Sequence, residues 1–230
     1  MKMVKIVAPR VEVLTPLDGE TILKHIELCA RNCYKSEGNI SEDCSSAVKM
    51  INKLIELDHT AMIEHYNITV KFVCDLGFYK DITRHRHASF AIESTRYCNY
   101  SKGKFGSEIS VIKPCNIVEG TPEYKLWLNT METIEKNYNA MAALGCKPDQ
   151  LRMLLPHSIK ADVIMTANLR EWRHILKLRA APAAHPSIQQ LMKILLKEFK
   201  AKIPVVFDDI PYDEENSLSE TVSYTHLRAH

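Results

Sequence analysis

Ile68, Val70, Phe72 and Cys74 are apolar and stand one residue apart, with Thr69 and Lys71 among the residues between them. A period of two predicts a half-buried β-strand. Residues 4–14 alternate more loosely and predict a first strand, closed by Pro16 and Gly19. Elsewhere the helical period takes over. Thr21 can cap a helix whose face holds Ile22, Ile26, Cys29, Ala30 and Cys33. Ser41 can cap a second, with Val48, Ile51, Leu54 and Ile55 as its stripe and His59 just past its end. Residues 78–85 predict a short helix, and 109–112 a strand. Pro122 after Thr121 starts a long helix through Met131, Ile134, Tyr138 and Met141.

In the C-terminal third, Pro148 opens a helix that Pro156 closes, and residues 163–167 are extended. Leu169–Arg179 follows as a helix. His185, Pro186 and Ser187 lead into a final long helix with Ile188, Leu191, Ile194 and Leu195 on its core face. These elements predict an α+β fold: one domain over residues 1–222, with a mixed or antiparallel sheet flanked by long helices. Residues 223–230 carry no period and read as a frayed tail or a non-native extension.

Composition narrows the function. The 230 residues, 46% hydrophobic and 25% charged, suffice for a real core. A net charge of +2 argues against holding nucleic acid chiefly through phosphates. The alternative, a binding module over residues 84–104 with Tyr97 and Tyr100 as stacking groups, suffers on that count. The first residues lack the apolar core of a signal peptide, and no stretch approaches a membrane span, so a cytoplasmic protein is expected. Seven cysteines without CxxC spacing read as buried free thiols.

Glycine is informative by its scarcity. Seven are present, and none forms the glycine-rich turn of a dinucleotide or phosphate-binding loop. Side chains must then grip any anionic ligand, and arginine suits this because its planar fork donates two parallel hydrogen bonds. Arg84, Arg86 and Arg96 form one group; Arg152, Arg170, Arg173 and Arg179 form another. Phe90, Ile92, Tyr97 and Tyr100 interleave with the first group, which suggests a walled anion site. His59, His65, His85 and His87 raise a metal reading, but arginines flanking His85 oppose a dication, and no metal is expected. Ser94 lacks the GxSxG setting of a nucleophile elbow.

The run Arg84-His85-Arg86, then seven residues and Ser94, then Arg96-Tyr97, resembles the signature of flavin-dependent thymidylate synthases. His59 with Glu64-His65 upstream resembles that family's His-x-x-x-x-Glu-His segment. Leu151-Arg152, Asn168-Leu169-Arg170, Leu178-Arg179 and His185-Pro186 follow in the family's order, so the resemblance spans about residues 20–205. One departure stands out. Ala91-Ile92 replaces a common Asn-Glu, and the acid is Glu93, one before Ser94. Either Glu93 fills that place from a shifted backbone, or a different group meets the uracil ring.

The resemblance implies reductive methylation of dUMP to dTMP. Methylenetetrahydrofolate would supply the carbon, FAD carry the hydride and NADPH reduce the flavin, in a homotetramer with shared active sites. By position it implies Arg84, His85, Arg86, Glu64, Asn168, Arg170 and His174 for the cofactor. Asp81, Glu93, Ser94, Thr95, Arg96, Arg152, Leu178 and Arg179 fall to the nucleotide. Arg96, Ser94 and His59 are the catalytic candidates. Since a serine without a base is a poor nucleophile, Ser94 is expected to position the substrate while Arg96 stabilises charge on uracil.

Overall fold

The computed structural model describes residues 4–95 and 108–211. The expected first strand divides in two. β1 (Lys5–Val7) pairs in parallel with β5 (Ser110–Ile112), whereas β2 (Arg10–Val13) pairs antiparallel with β3 (Asn67–Asp75). Pro9 lies between them, and a proline offers no N–H to continue a ladder. β3 then pairs with β6 (Lys160–Asn168), and β6 with β4 (Ala88–Ile92), giving an antiparallel sheet in the order β2-β3-β6-β4. The segment expected at 163–167 is thus nine residues long and central.

Register sorts the two faces of this sheet. Ile68, Val70, Phe72 and Cys74 oppose Ala167, Met165, Val163 and Ala161, and all eight are buried. Ala88, Phe90 and Ile92 continue that apolar face on β4. The other face carries Thr69, Lys71, Asp162 and Thr166, with a hydroxyl pair at 2.8 Å between Thr69 and Thr166. A period of two with one solvated face is what antiparallel pairing permits.

Helices cover the apolar face: α1 (Gly19–Asn32), α2 (Ser45–Glu56), α3 (Leu76–Ile82), α6 (Leu169–Arg179), α7 (Pro186–Lys202) and the short α8 (Pro204–Phe207). Trp172 sits fully buried among them and donates from its indole to the Ile68 carbonyl at 3.0 Å. Gly19 lets α1 start against the end of α7, where a Cβ would strike the Lys202 carbonyl oxygen. A second core joins Val4, Ile109 and Val111 to Met131 and Tyr138 of α4 (Pro122–Ala143) and to Leu151 of α5 (Pro148–Leu151).

Two helical expectations shift. α1 begins at Gly19 after Asp18, and Thr21 donates to the Asp18 carboxylate at 2.5 Å instead of capping. Its buried face takes in Glu27 and Arg31, while Cys33 is exposed. The pair can be buried because Arg31 bonds Glu27 at 2.7 and 2.6 Å, and Ser46 donates to the same carboxylate at 2.9 Å. α2 starts at Ser45 with Cys44 at the N-cap position, and Ser41, further back, caps its first turn by accepting from the Ser46 amide at 3.0 Å. Along α7, Met192, Leu196 and Phe199 are buried, while Ile194 is 40% exposed. The tail at 223–230 and residues 96–107, including Arg96, Tyr97 and Tyr100, lie outside the described residues.

Candidate active site

One end of the sheet gathers most of the expected residues. β3 begins there at Asn67, β6 ends there at Asn168, and β4 begins there at Ala88 opposite Ala167. Three connections meet at this end: the 3₁₀ turn Thr60–His65, the start of α6, and the stretch of residues 83–87. The Arg-His-Arg run was expected on a helix, but α3 stops at Ile82. The run lies in the connection to β4, where side chains are freed from helical spacing.

His85 is the buried member of that run, and Arg84 and Arg86 are exposed. Arg179, in the last turn of α6, donates through Nε to His85 Nε2 at 3.1 Å and through a terminal nitrogen to the Asp81 carbonyl at 3.3 Å. On the other side of the ring, His85 Nδ1 lies 3.4 Å from the Glu171 carboxylate. The His174 ring packs edge-on at 5.8 Å. Burial first, then the Arg179 charge, holds the His85 imidazole below its ordinary pKa, so the ring is neutral near pH 7. Leu178 beside Arg179 is half exposed.

Asn168 caps α6 by accepting from the Glu171 amide at 2.8 Å. Next to it, Arg170 reaches Glu64 at 2.5 Å. Both partners are well exposed, and an exposed pair contributes little, about 0–1 kcal/mol, so a ligand can open it at small cost. His59 heads the same 3₁₀ turn, exposed, with its amide donating to the Leu54 carbonyl at 2.8 Å.

The far end of β4 holds a separate group. Glu93 and Asp162 share the Lys160 ammonium at 2.8 and 3.0 Å, and Lys71 lies 3.4 Å from Asp162. The Glu93 amide donates to the Asp162 carbonyl at 3.0 Å, which ties the end of β4 to β6. Ser94 and Thr95 follow, both partly buried. Arg152 stands apart and exposed in the 3₁₀ turn Arg152–Leu154, beside α4 and α5. Arg173 belongs to no anion site. Its fork is held by Asp209 at 2.6 and 2.7 Å.

Sequence reasoning missed Glu171, Lys160 and Asp162. A glutamate three residues after a capping Asn was a legible helix-start signal, but its meeting with His85 depends on the fold. Lys160 and Asp162 lay outside the strand expected at 163–167.

Arg84, Arg86 and Arg179 have no carboxylate partner among the described residues. Guanidinium groups without acid partners at one sheet end are of a kind that can hold a phosphorylated ligand. Residues 19–205 match the family described as thymidylate synthase complementing protein. The chain belongs to this family, the flavin-dependent thymidylate synthases. The flavin-dependent thymidylate synthase of Corynebacterium glutamicum is 26% identical over 215 residues, covering 86% of this chain and 83% of that one. A probable flavin-dependent thymidylate synthase of Mycobacterium phage L5 is also 26% identical, covering 80% and 79%. Among solved structures, thymidylate synthase X of Helicobacter pylori with FAD and dUMP superposes with a TM-score of 0.70 at 19% identity, covering 88% and 98%. A UMP/dUMP methylase from Streptomyces cacaoi gives 0.69 at 19% identity, covering 90% and 96%. At these identities the structural matches establish the fold.

Proposed function

We infer that this chain converts dUMP to dTMP by reductive methylation, with methylenetetrahydrofolate as carbon donor, FAD as hydride carrier and NADPH as reductant. The observation that carries this reading is the cluster of Arg84, Arg86 and Arg179 without acid partners, at the sheet end that also holds Glu64, Asn168 and Arg170. All four ligands are anionic, and this donor set fits a dinucleotide cofactor in a chain without glycine loops. Arg84, Arg86, Glu64, Asn168, Arg170 and His174 would hold FAD, with His85 packed behind them. When bound, FAD supplies the hydride that the methylation requires. His59 and Glu64 would line the flavin and folate region.

Arg179 and Arg152 would grip the nucleotide phosphate, with Asp81, Leu178 and Thr95 nearby. Uracil must become electron-rich at carbon 5, so negative charge develops on its oxygens. Arg96 and Ser94 would stabilise that charge and orient the ring. Glu93 supports the strand end through Lys160, which favours a different group at the ring where relatives carry the earlier acid.

A complete site would draw on more than one copy. β4 alone separates its two ends by about 14 Å at the usual strand rise, so the Arg-His-Arg run and Ser94 of one chain face different regions, and sites shared between copies would bring such regions together. The described cysteines are all free, as in a cytoplasmic protein, and no described helix is long and apolar enough to cross a membrane.

The visible spectrum of the purified chain tests the reading first. A preparation that is colourless and fails to take up FAD would overturn it. Tritium release from 5-labelled dUMP with folate and NADPH tests the reaction. Flavin binding without release would favour a second reading, prompted by Ala91-Ile92, in which the synthase reaction is lost or altered.

A further inference from the structure

The network behind Arg179 has a direction. A guanidinium only donates, so His85 Nε2, 3.1 Å from Arg179 Nε, must offer its lone pair. A neutral imidazole carries one N–H, which therefore sits on Nδ1, the nitrogen that stands 3.4 Å from the Glu171 carboxylate. The opposite tautomer would set two donors against each other at Nε2 and leave the carboxylate facing a bare Nδ1. Glu171 is itself held, with its amide on the Asn168 cap and little exposure.

We propose that Glu171 is a positioning residue for the nucleotide: by fixing the His85 tautomer it fixes the direction of the Arg179 fork. Nε and one terminal N–H are taken by His85 and the Asp81 carbonyl. The other donors are thereby aimed together at the ligand. This rests on the reading of Arg179 as a phosphate-binding residue. Losing a charge-assisted anchor one step removed from the ligand should weaken dUMP by about tenfold.

The test uses the full chain with FAD bound. Ring ¹⁵N NMR should find His85 protonated at Nδ1 and bare at Nε2. A proton on Nε2, or a doubly protonated ring near pH 7, overturns the proposal. Glu171→Ala should raise the Kd and KM for dUMP about tenfold with kcat and flavin content preserved. Glu171→Gln, which keeps an acceptor for Nδ1–H, should recover most of that loss. If Arg179→Ala weakens dUMP but both Glu171 variants bind it normally, the proposal fails and the role of Arg179 stands. If Arg179→Ala also binds dUMP normally, the phosphate reading fails and takes the proposal with it. Should Glu171→Ala not fold, Glu171→Asp, which draws the carboxylate back by one methylene, carries the binding test, and unchanged dUMP affinity there overturns the proposal.

Discussion

Replacing Lys160 by Met leaves the stem in place and removes the ammonium that Glu93 and Asp162 share. The two bonds are 2.8 and 3.0 Å long, and the three side chains are 20%, 15% and 33% exposed. Breaking a fully buried pair costs about 3–5 kcal/mol, and an exposed pair contributes about 0–1. Partial burial, with Lys71 still 3.4 Å from Asp162, places the expected cost at about 2 kcal/mol. For a chain of this length the unfolding entropy is about 0.5 kcal/mol/K, so Tm should fall by about 4 °C near pH 7. Calorimetry across pH then checks the cause. Burial pushes the Asp162 carboxyl up, but Lys160 and Lys71 outweigh it and hold it below its ordinary 3.8. Its contribution is therefore present above that value and is lost as pH falls through the folded pKa. Burial likewise pulls the Lys160 ammonium down, yet Glu93 and Asp162 raise it above 10.5, so its contribution is lost only as pH rises through that raised value. The difference between the two proteins should be flat through neutral pH and shrink in acid. An unchanged Tm near pH 7, or a difference undiminished in strong acid, would refute the electrostatic account.

Gly19→Ala puts a methyl into the Lys202 carbonyl, and urea titration should show a loss of about 2 kcal/mol. Asp209→Asn leaves the buried Arg173 guanidinium without its anion and should cost about 2 kcal/mol, with the flavin content of the folded fraction unchanged. Ser94→Ala should lower turnover without abolishing it; complete loss with dUMP and FAD binding intact would make Ser94 a nucleophile. Mixed assemblies of Arg84→Ala and Arg152→Ala chains, whose lesions lie in separate parts of the chain, should recover activity, and inactivity in confirmed mixed assemblies would count against shared sites.

The legible parts of the fold were those in which one local signal decided the outcome. Leu169–Arg179 is a helix because Asn168 caps it and its apolar residues recur at helical spacing. Pro122–Ala143 begins at a proline after a capping threonine, as its sequence implied. Failures came where tertiary partners override local pattern. No period predicts that Glu27 and Arg31 turn inward, since their burial depends on each other and on Ser46 from another helix. Likewise, β6 extends beyond its apolar run because β3 pairs with it along its whole length. The motif residues were legible as a set, but their grouping was not. Arg84 and Ser94 are near in sequence and stand at opposite ends of a strand, while Glu171 and His85 are far apart in sequence and adjacent in space.

The strand geometry also bears on the displaced acid. Along β4, Ile92 shares the buried face with Phe90 and Ala88, whereas Glu93 sits beyond the strand end beside Lys160. A period of two means that moving an acid by one position changes which face it serves. A carboxylate at 92 would follow the apolar face, whereas at 93 it meets the row of Lys160, Asp162 and Lys71. The sheet therefore treats the two positions as different sites, and the lysine row accounts for an acid at 93. The carboxylate here holds the strand end that carries Ser94.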